Sequence, residues 1–221
     1  LNEAFVVDRV TRDRLIAEHP SSAEVLKPFL RGRDVKRWRC EPKDLWLIFA
    51  RHGIDIKIYP AIHEHLKQFK KRLMPGVPGG RKPGSYDWYE IQDNIAYWQE
   101  FEQSKIVYPD IYEHQTFAWD ECGHTLGNTC YFIPTDQKWL LAVLNSILVE
   151  WFYGSIANRI RGGYLRSFSA FMSQIPIPPA TPTQQSLCER LAEALIWLYS
   201  PAAKKAKDAP TGLMLAYIEQ W

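Results

Sequence analysis

No apolar run in these 221 residues comes near the ~20 that a membrane-spanning helix needs. The opening residues, Leu1-Asn2-Glu3, carry neither an initiator Met nor the basic-then-apolar pattern of a secretory signal. The chain therefore reads as a piece of a longer protein. Its cysteines, Cys40, Cys122, Cys130 and Cys188, form no C-x-x-C pair, which points to free thiols in a reducing compartment, and the prokaryotic cytoplasm fits. Neither sign of charge is in excess. Lys plus Arg number 27 against 25 acidic residues, a net +2, which is less basic than a protein that merely coats nucleic acid. Only the distribution of charge can decide for or against such a partner.

Catalytic signatures are equally scarce. There is no G-x-x-x-x-G-K-[ST] or G-x-G-x-x-G phosphate loop, and no G-x-S-x-G elbow. The Gly76–Gly80 segment carries Pro where a phosphate-binding helix would have to begin. Cys122, His124 and Cys130 match no zinc spacing and lack a fourth ligand. His63 and His65 fall on different sides of a helix. A metal-dependent nuclease half-site at Glu41-x-Lys43 is spoiled by Pro42, and Pro109-Asp110 follows it instead of preceding it. Pro178-Pro179 has Ile before it and Ala after it, unlike the Asn/Asp-Pro-Pro-aromatic motif of amino methyltransferases. The expectation is a chain that catalyses nothing alone and holds no cofactor or metal of its own.

What is abundant is aromatic: 14% of the residues, nine of them Trp, within a globular balance of 46% hydrophobic and 24% charged residues. A chain this long buries roughly 70% of its unfolded surface. Strands are expected at Glu3–Val7, Leu45–Phe49, Lys105–Tyr108, Thr116–Trp119 and Thr129–Ile133, the last three in one sheet with a turn at Asp120–Gly123. Helices are expected from Thr11, from Ser22 through Leu26 to Pro28, and from Pro60 through Leu73. A single helix is expected over Trp139–Phe152, with Asn145-Ser146 in its middle where polar backbone must be met. The last amphipathic helix opens at Thr183, with Leu187, Leu191, Leu195 and Leu198 inward. Pro75–Ser85 is a long basic loop, and Lys204, Lys205 and Lys207 break the chain before Leu213–Trp221.

Five short segments occur in a telling order: Asn2–Asp8; Leu26-Lys27-Pro28-Phe29-Leu30-Arg31-Gly32-Arg33-Asp34-Val35; Lys105–Pro109; Leu140–Ser146; and Gln174-Ile175-Pro176-Ile177-Pro178-Pro179. Together they resemble the TaqI-like specificity domain, which follows the catalytic domain in many prokaryotic adenine methyltransferases and in fused restriction–modification enzymes. The Leu-Asn-Ser helix and the Ile-Pro-Ile-Pro-Pro segment are also similar to specificity subunits of multi-subunit restriction systems. The resemblance implies an α+β fold, with an irregular β-rich recognition half (1–135) and a helical half (136–200), followed by a linker and truncated helix (201–221). It further implies a target-recognition domain that reads double-stranded DNA. A methyltransferase domain of the same parent chain would hold S-adenosylmethionine and methylate adenine, with or without an endonuclease.

Family motifs of this kind are scaffold, so the contacts are nominated by chemistry. Arg31, Arg33, Lys36, Arg37 and Arg39 surround a turn and can meet successive phosphates. Arg81, Lys82, Ser85, Tyr86 and Tyr89 form a candidate groove-reading loop, in which Arg81 could pair with guanine and Trp88 is the core anchor. Asn158, Arg159, Arg161, Tyr164 and Arg166 flank Gly162-Gly163, where backbone can approach a phosphate closely. Lys67, Lys70, Lys71 and Arg72 are read as the wet side of a helix. The two loops are expected to converge with Arg31–Arg39 on one positive face. The alternative is a protein–protein module of a larger enzyme, because loops rich in aromatics and Arg are also interface hot spots.

Overall fold

The computed structural model describes residues 2–160 and 162–205. Arg161 and the expected segment Leu213–Trp221 lie outside the described residues. Two compact units interleave along the chain: residues 1–30 with 42–100, and residues 31–41 with 101–221. These cuts fall elsewhere than near residue 135. Helices and strands are mixed throughout both units, an α+β composition.

In the first unit the apolar run Leu45–Ile48 is the middle strand between Val6–Asp8 and Leu26–Leu30, antiparallel to both, with Val6 opposite Leu47 and Leu26 opposite Ile48. Helices Arg9–Glu18 and Pro60–Lys67 contribute Leu15, Ile62 and Leu66 to a core with Val7, Leu26, Ile48 and Leu73. Pro60 starts its helix where no N–H is needed. Four expectations shift. Asn2–Phe5, within the expected strand Glu3–Val7, is a helical turn before the strand Val6–Asp8, and the helix expected from Pro60 through Leu73 is two, Pro60–Lys67 and Lys70–Leu73. The helix expected from Thr11 is capped three residues earlier, with the Thr11 N–H donating to the Asp8 carboxylate at 2.8 Å. The helix at Ser22 stops at Val25, and Leu26–Leu30 is strand. Pro28, with φ fixed and no N–H to give, sits badly in a helix but is tolerated opposite Trp46.

In the second unit Lys105–Pro109 is central between Cys130–Pro134 and Ala118–Asp120, with Tyr108 opposite Tyr131 and Ile106 opposite Trp119. The three strands share one sheet as their alternation implied. Their buried side chains join Trp38, Leu141, Leu144, Tyr153, Leu165 and Ala192 in a second core. The helix expected over Trp139–Phe152 is two helices, Lys138–Leu144 and Ile147–Ile156, bent by 57°. Asn145 ends the first, and the Ser146 hydroxyl caps the second by accepting from the Val149 N–H. Leu144 is buried as expected, but Leu148 and Trp151 are exposed, because the bend turns their face outward.

The last long helix spans Pro182–Leu198. It opens with a reciprocal cap between Thr181 and Gln184, and Pro182 takes the first turn. Leu191 was expected inward and is 53% exposed. The packed face is instead Ala192, Leu195, Ile196 and Tyr199, whose spacing is as helical as that of Leu187, Leu191 and Leu198. Periodicity alone could not choose between these two stripes. No single helix among the described residues is long and apolar enough to cross a membrane.

Candidate nucleic-acid interface

The Arg31–Asp34 turn is built around a buried carboxylate. Asp34 accepts from the Arg31 Nε at 2.7 Å, from its Nη2 at 2.9 Å and from its backbone N–H at 3.1 Å. Burial works against this carboxylate, but the Arg31 hydrogen bonds outweigh it and hold Asp34 below the usual carboxylate range. Arg31 thus holds its own turn through its ion pair with Asp34. Gly32 is required by close approach: a Cβ there would lie 2.1 Å from the Thr129 carbonyl oxygen, and its N–H donates to the Thr129 hydroxyl at 3.1 Å. Arg33 and Lys36 are exposed, and their side chains make no hydrogen bond or ion pair to another described residue.

A tight hairpin follows, pairing Val35–Lys36 with Arg39–Cys40 across Arg37-Trp38. Trp38 takes a φ of +72°, a conformation that glycine usually fills. Burial of its ring and its N–H bond to the Phe117 carbonyl, 2.8 Å long, hold it there. Arg37 donates to the Asn145 carbonyl at 2.7 Å, so its guanidinium ties the hairpin to the helix bend and is not wholly given to solvent. Asn145 itself is 1% exposed. Its side-chain amide meets the Phe117 backbone twice, accepting from the N–H at 3.1 Å and donating to the C=O at 2.9 Å. This is the polar backbone that an Asn-Ser pair in an apolar helix demanded. Arg39 pairs with Glu41 and lies against the Tyr199 ring.

The segment after Ile156 returns to the same unit. Arg166 is held by Asp110 through Nη2 at 2.7 Å, which raises its pKa, and Tyr153 donates to the Arg166 carbonyl at 2.6 Å. Leu165–Arg166 pairs antiparallel with Ile111–Tyr112. The Asp110 N–H donates to the Thr129 carbonyl at 2.9 Å. Gly32, Thr129, Asp110 and Arg166 are therefore successive links, and they join two of the three nominated segments. Asn158 and Tyr164 are exposed, and Arg159 is exposed while donating to the Gly163 carbonyl at 2.7 Å.

The loop nominated as the base reader lies in the first unit and is differently built. Arg81 is 6% exposed. Its Nε donates to the Leu73 carbonyl (2.8 Å), Nη1 to Glu90 (2.7 Å), and Nη2 to Asp87 (3.1 Å) and Trp88 (3.0 Å). Desolvation lowers its pKa, without making it anything but a cation. So committed, Arg81 has no fork to offer a guanine, and the expected pairing is not the arrangement seen. Tyr86 lies 4.5 Å from the Arg81 guanidinium carbon and donates to the Lys82 carbonyl. Tyr89 donates to Asp87, a bond that pushes its phenol up to about 12. Trp88 packs against the first core and against Lys70, the anchor it was expected to be. Lys82 and Ser85 are exposed. Lys67, Lys70, Lys71 and Arg72 are exposed too, with Lys67 on Glu64 and Arg72 on Glu3.

One polar cluster had no signal in the sequence. Lys105, fully buried, places its ammonium 2.7 Å from Asp120, which also accepts from His124 Nδ1 at 2.7 Å. Burial pushes the Asp120 carboxyl up, but His124 and Lys105 outweigh it and hold it at about 2. His124 is thus committed to a carboxylate and does not face Cys122 and Cys130 as a ligand. Burial raises the Cys130 thiol to about 12. The cluster fixes the end of the sheet from which the chain continues to the Thr129 turn.

Residues 27–177 match the model of the TaqI-like C-terminal specificity domain. The Type II methyltransferase M.PaeR7I of Pseudomonas aeruginosa is 26% identical over 67% of this chain and 26% of that protein. M.XhoI of Xanthomonas vasicola, also a Type II methyltransferase, is 27% identical over 72% of this chain and 29% of its own length. The chain therefore spans under a third of these relatives. A solved structure of the Type IIL restriction-modification enzyme MmeI in complex with DNA shares the fold, with a TM-score of 0.64 over 98% of this chain and 29% of that one, at 16% identity. This chain belongs to the family of TaqI-like C-terminal specificity domains.

Proposed function

We infer that this chain is the DNA target-recognition domain of a restriction–modification methyltransferase, reading a short duplex sequence for a catalytic portion of the parent protein. The family match over residues 27–177 carries the inference. The second unit supports it physically: Arg33 and Lys36 stand exposed on a turn whose internal bonds are satisfied by Asp34 and Thr129, as a phosphate-contacting surface requires. The methyl acceptor is adenine, and S-adenosylmethionine is bound by the parent enzyme outside this chain. Within the second unit the exposed Arg159 is a further phosphate contact, and in the first unit the exposed Lys82 and Ser85 are contacts carried by a loop that Arg81 holds. The test has two arms. Duplex binding by the chain should weaken steeply and linearly on log–log axes as salt rises. The parent enzyme should transfer label from S-adenosylmethionine to adenine N6 within one short sequence. Binding indifferent to salt, or label on cytosine, would overturn the respective half.

A second reading, a protein-contact module, is favoured by one observation. Ile147, Leu148 and Trp151 stand together on the Ile147–Ile156 helix, with Trp151 71% exposed. The occupant that fits is the methyltransferase portion of the parent chain, since more than two thirds of each matched methyltransferase lies beyond the length this chain covers. Exchanging Trp151 for Ser should then weaken assembly with that portion while leaving the salt slope of DNA binding untouched.

A further inference from the structure

We propose that Asn128 is a specificity-determining residue, presenting its side-chain amide to an adenine in the target duplex; the proposal rests on the DNA-recognition reading and names a reader within it. Asn128 is the exposed tip of the turn Gly127–Cys130, which the Cys130 N–H closes onto the Gly127 carbonyl at 3.0 Å. Thr129, the residue that follows the tip, is fixed by the two basic segments of this unit. From one side Gly32 presses to within less than a side chain's width of Thr129 and donates to its hydroxyl. From the other, the Asp110 N–H takes the Thr129 carbonyl while the Asp110 carboxylate holds Arg166. The turn is therefore preorganised at the start of the edge strand Cys130–Pro134, and the segments that anchor it through Thr129 are those that carry Arg33 and Arg166.

The chemistry of the tip differs from that of its neighbours. The exposed cation of the anchoring turn, Arg33, suits phosphates, which position a protein but carry no sequence. Asn128 is uncharged and offers a donor and an acceptor side by side, the complement of the adenine N7 and N6 edge in the major groove. Its side chain makes no hydrogen bond to a described residue, so pairing with a base breaks nothing. Its φ is not in the left-handed region, so alanine can replace it without strain.

The experiment is selection from a randomised duplex library by the full chain, wild type, Asn128→Ala and Asn128→Asp, with folding checked by circular dichroism. The wild type should enrich one sequence in which a position strongly favours adenine. Asn128→Ala should lose roughly tenfold or more of that preference at this position alone, with the remaining positions unchanged. Asn128→Asp, which lacks the donor–acceptor pair, should disfavour adenine there. A wild-type sequence preference retained at every position by folded Asn128→Ala overturns the assignment and leaves DNA recognition standing. Equal weakening across all sequences makes Asn128 a phosphate contact and also overturns it. A wild type that enriches no sequence removes the recognition reading itself.

Discussion

The loop after Leu73 and the turn after Leu30 are both basic, both contain glycine, and they spend their arginines in opposite ways. In the first, the chain folds back so that the carbonyls of Leu73, Asp87, Trp88 and Glu90 surround one guanidinium, and Arg81 becomes the loop's core. The Glu90 carboxylate does not pair with it but accepts from the N–H groups of Gly53 and Asp87, satisfying backbone in the same way. In the second, that work goes to groups other than Arg33 and Lys36: Asp34 takes Arg31, Thr129 takes Gly32, and the Asn145 carbonyl takes Arg37. A loop without a core needs a cation inside it, whereas a turn seated on a sheet can leave its cations outside. Net charge cannot tell the two apart, although the first keeps Arg81 inside while the second leaves Arg33 exposed.

The largest way to break this comparison is Arg81→Ala. Four carbonyls lose their donors in a buried setting, and a stability loss of roughly 2–4 kcal/mol is expected in urea unfolding. Arg81→Lys should recover only part of it, since an ammonium cannot span that set of acceptors. If Arg81→Ala proves neutral for stability but alters base preference at one position, the loop is a reader after all.

The turn should break for a steric reason. Gly32→Ala puts a methyl 2.1 Å from the Thr129 carbonyl oxygen, so the turn must move, at a cost of about 1–3 kcal/mol. Hydrogen exchange should show the Asp110 amide, which donates to that carbonyl, losing protection.

A smaller test uses acid. Asp120 sits at about 2 in the folded state against an ordinary value near 3.8. Its lowered pKa therefore contributes stability that is complete above the ordinary value and is lost as pH falls through about 2. Arg81 has no titration in this range. Below pH 4 the second unit should accordingly lose amide protection faster with pH in the wild type than in Asp120→Asn, and equal slopes would remove Asp120 from the account.

Much of the scaffold was legible because local chemistry wrote it. Pro60 marks a helix start, the last helix begins at Pro182, one residue before the expected Thr183, and the β-rich runs at Lys105, Ala118 and Cys130 share a sheet. The misses involve partners distant in sequence. The helix bend at Asn145 depends on Phe117, the burial of Arg81 on a chain that returns at Glu90, and the choice of Ala192 over Leu191 on which of two equivalent stripes meets a neighbour. The Lys105–Asp120–His124 cluster looked like three ordinary polar residues. Of the nominated contacts, Arg33, Lys36, Lys82, Ser85, Asn158, Arg159 and Tyr164 are exposed, while Arg31, Arg37, Arg39, Arg81 and Arg166 spend bonds on the fold. Arginine next to glycine signals a turn; it does not say which way the guanidinium faces. The Gly127-Asn128 dipeptide was a readable turn signal that lay between two expected strands.

The most direct test compares the salt dependence of duplex binding for the wild-type chain, Arg33→Ala and the double variant Arg33→Ala/Lys36→Ala, all expected to be within about 0.5 kcal/mol of one another in stability. If these two exposed cations meet phosphates, the log–log slope should become shallower by about 0.9 for the single variant and about 1.8 for the double. Slopes identical to the wild type, with the proteins folded, would contradict the placement of the DNA-facing surface on the Arg31–Arg39 turn.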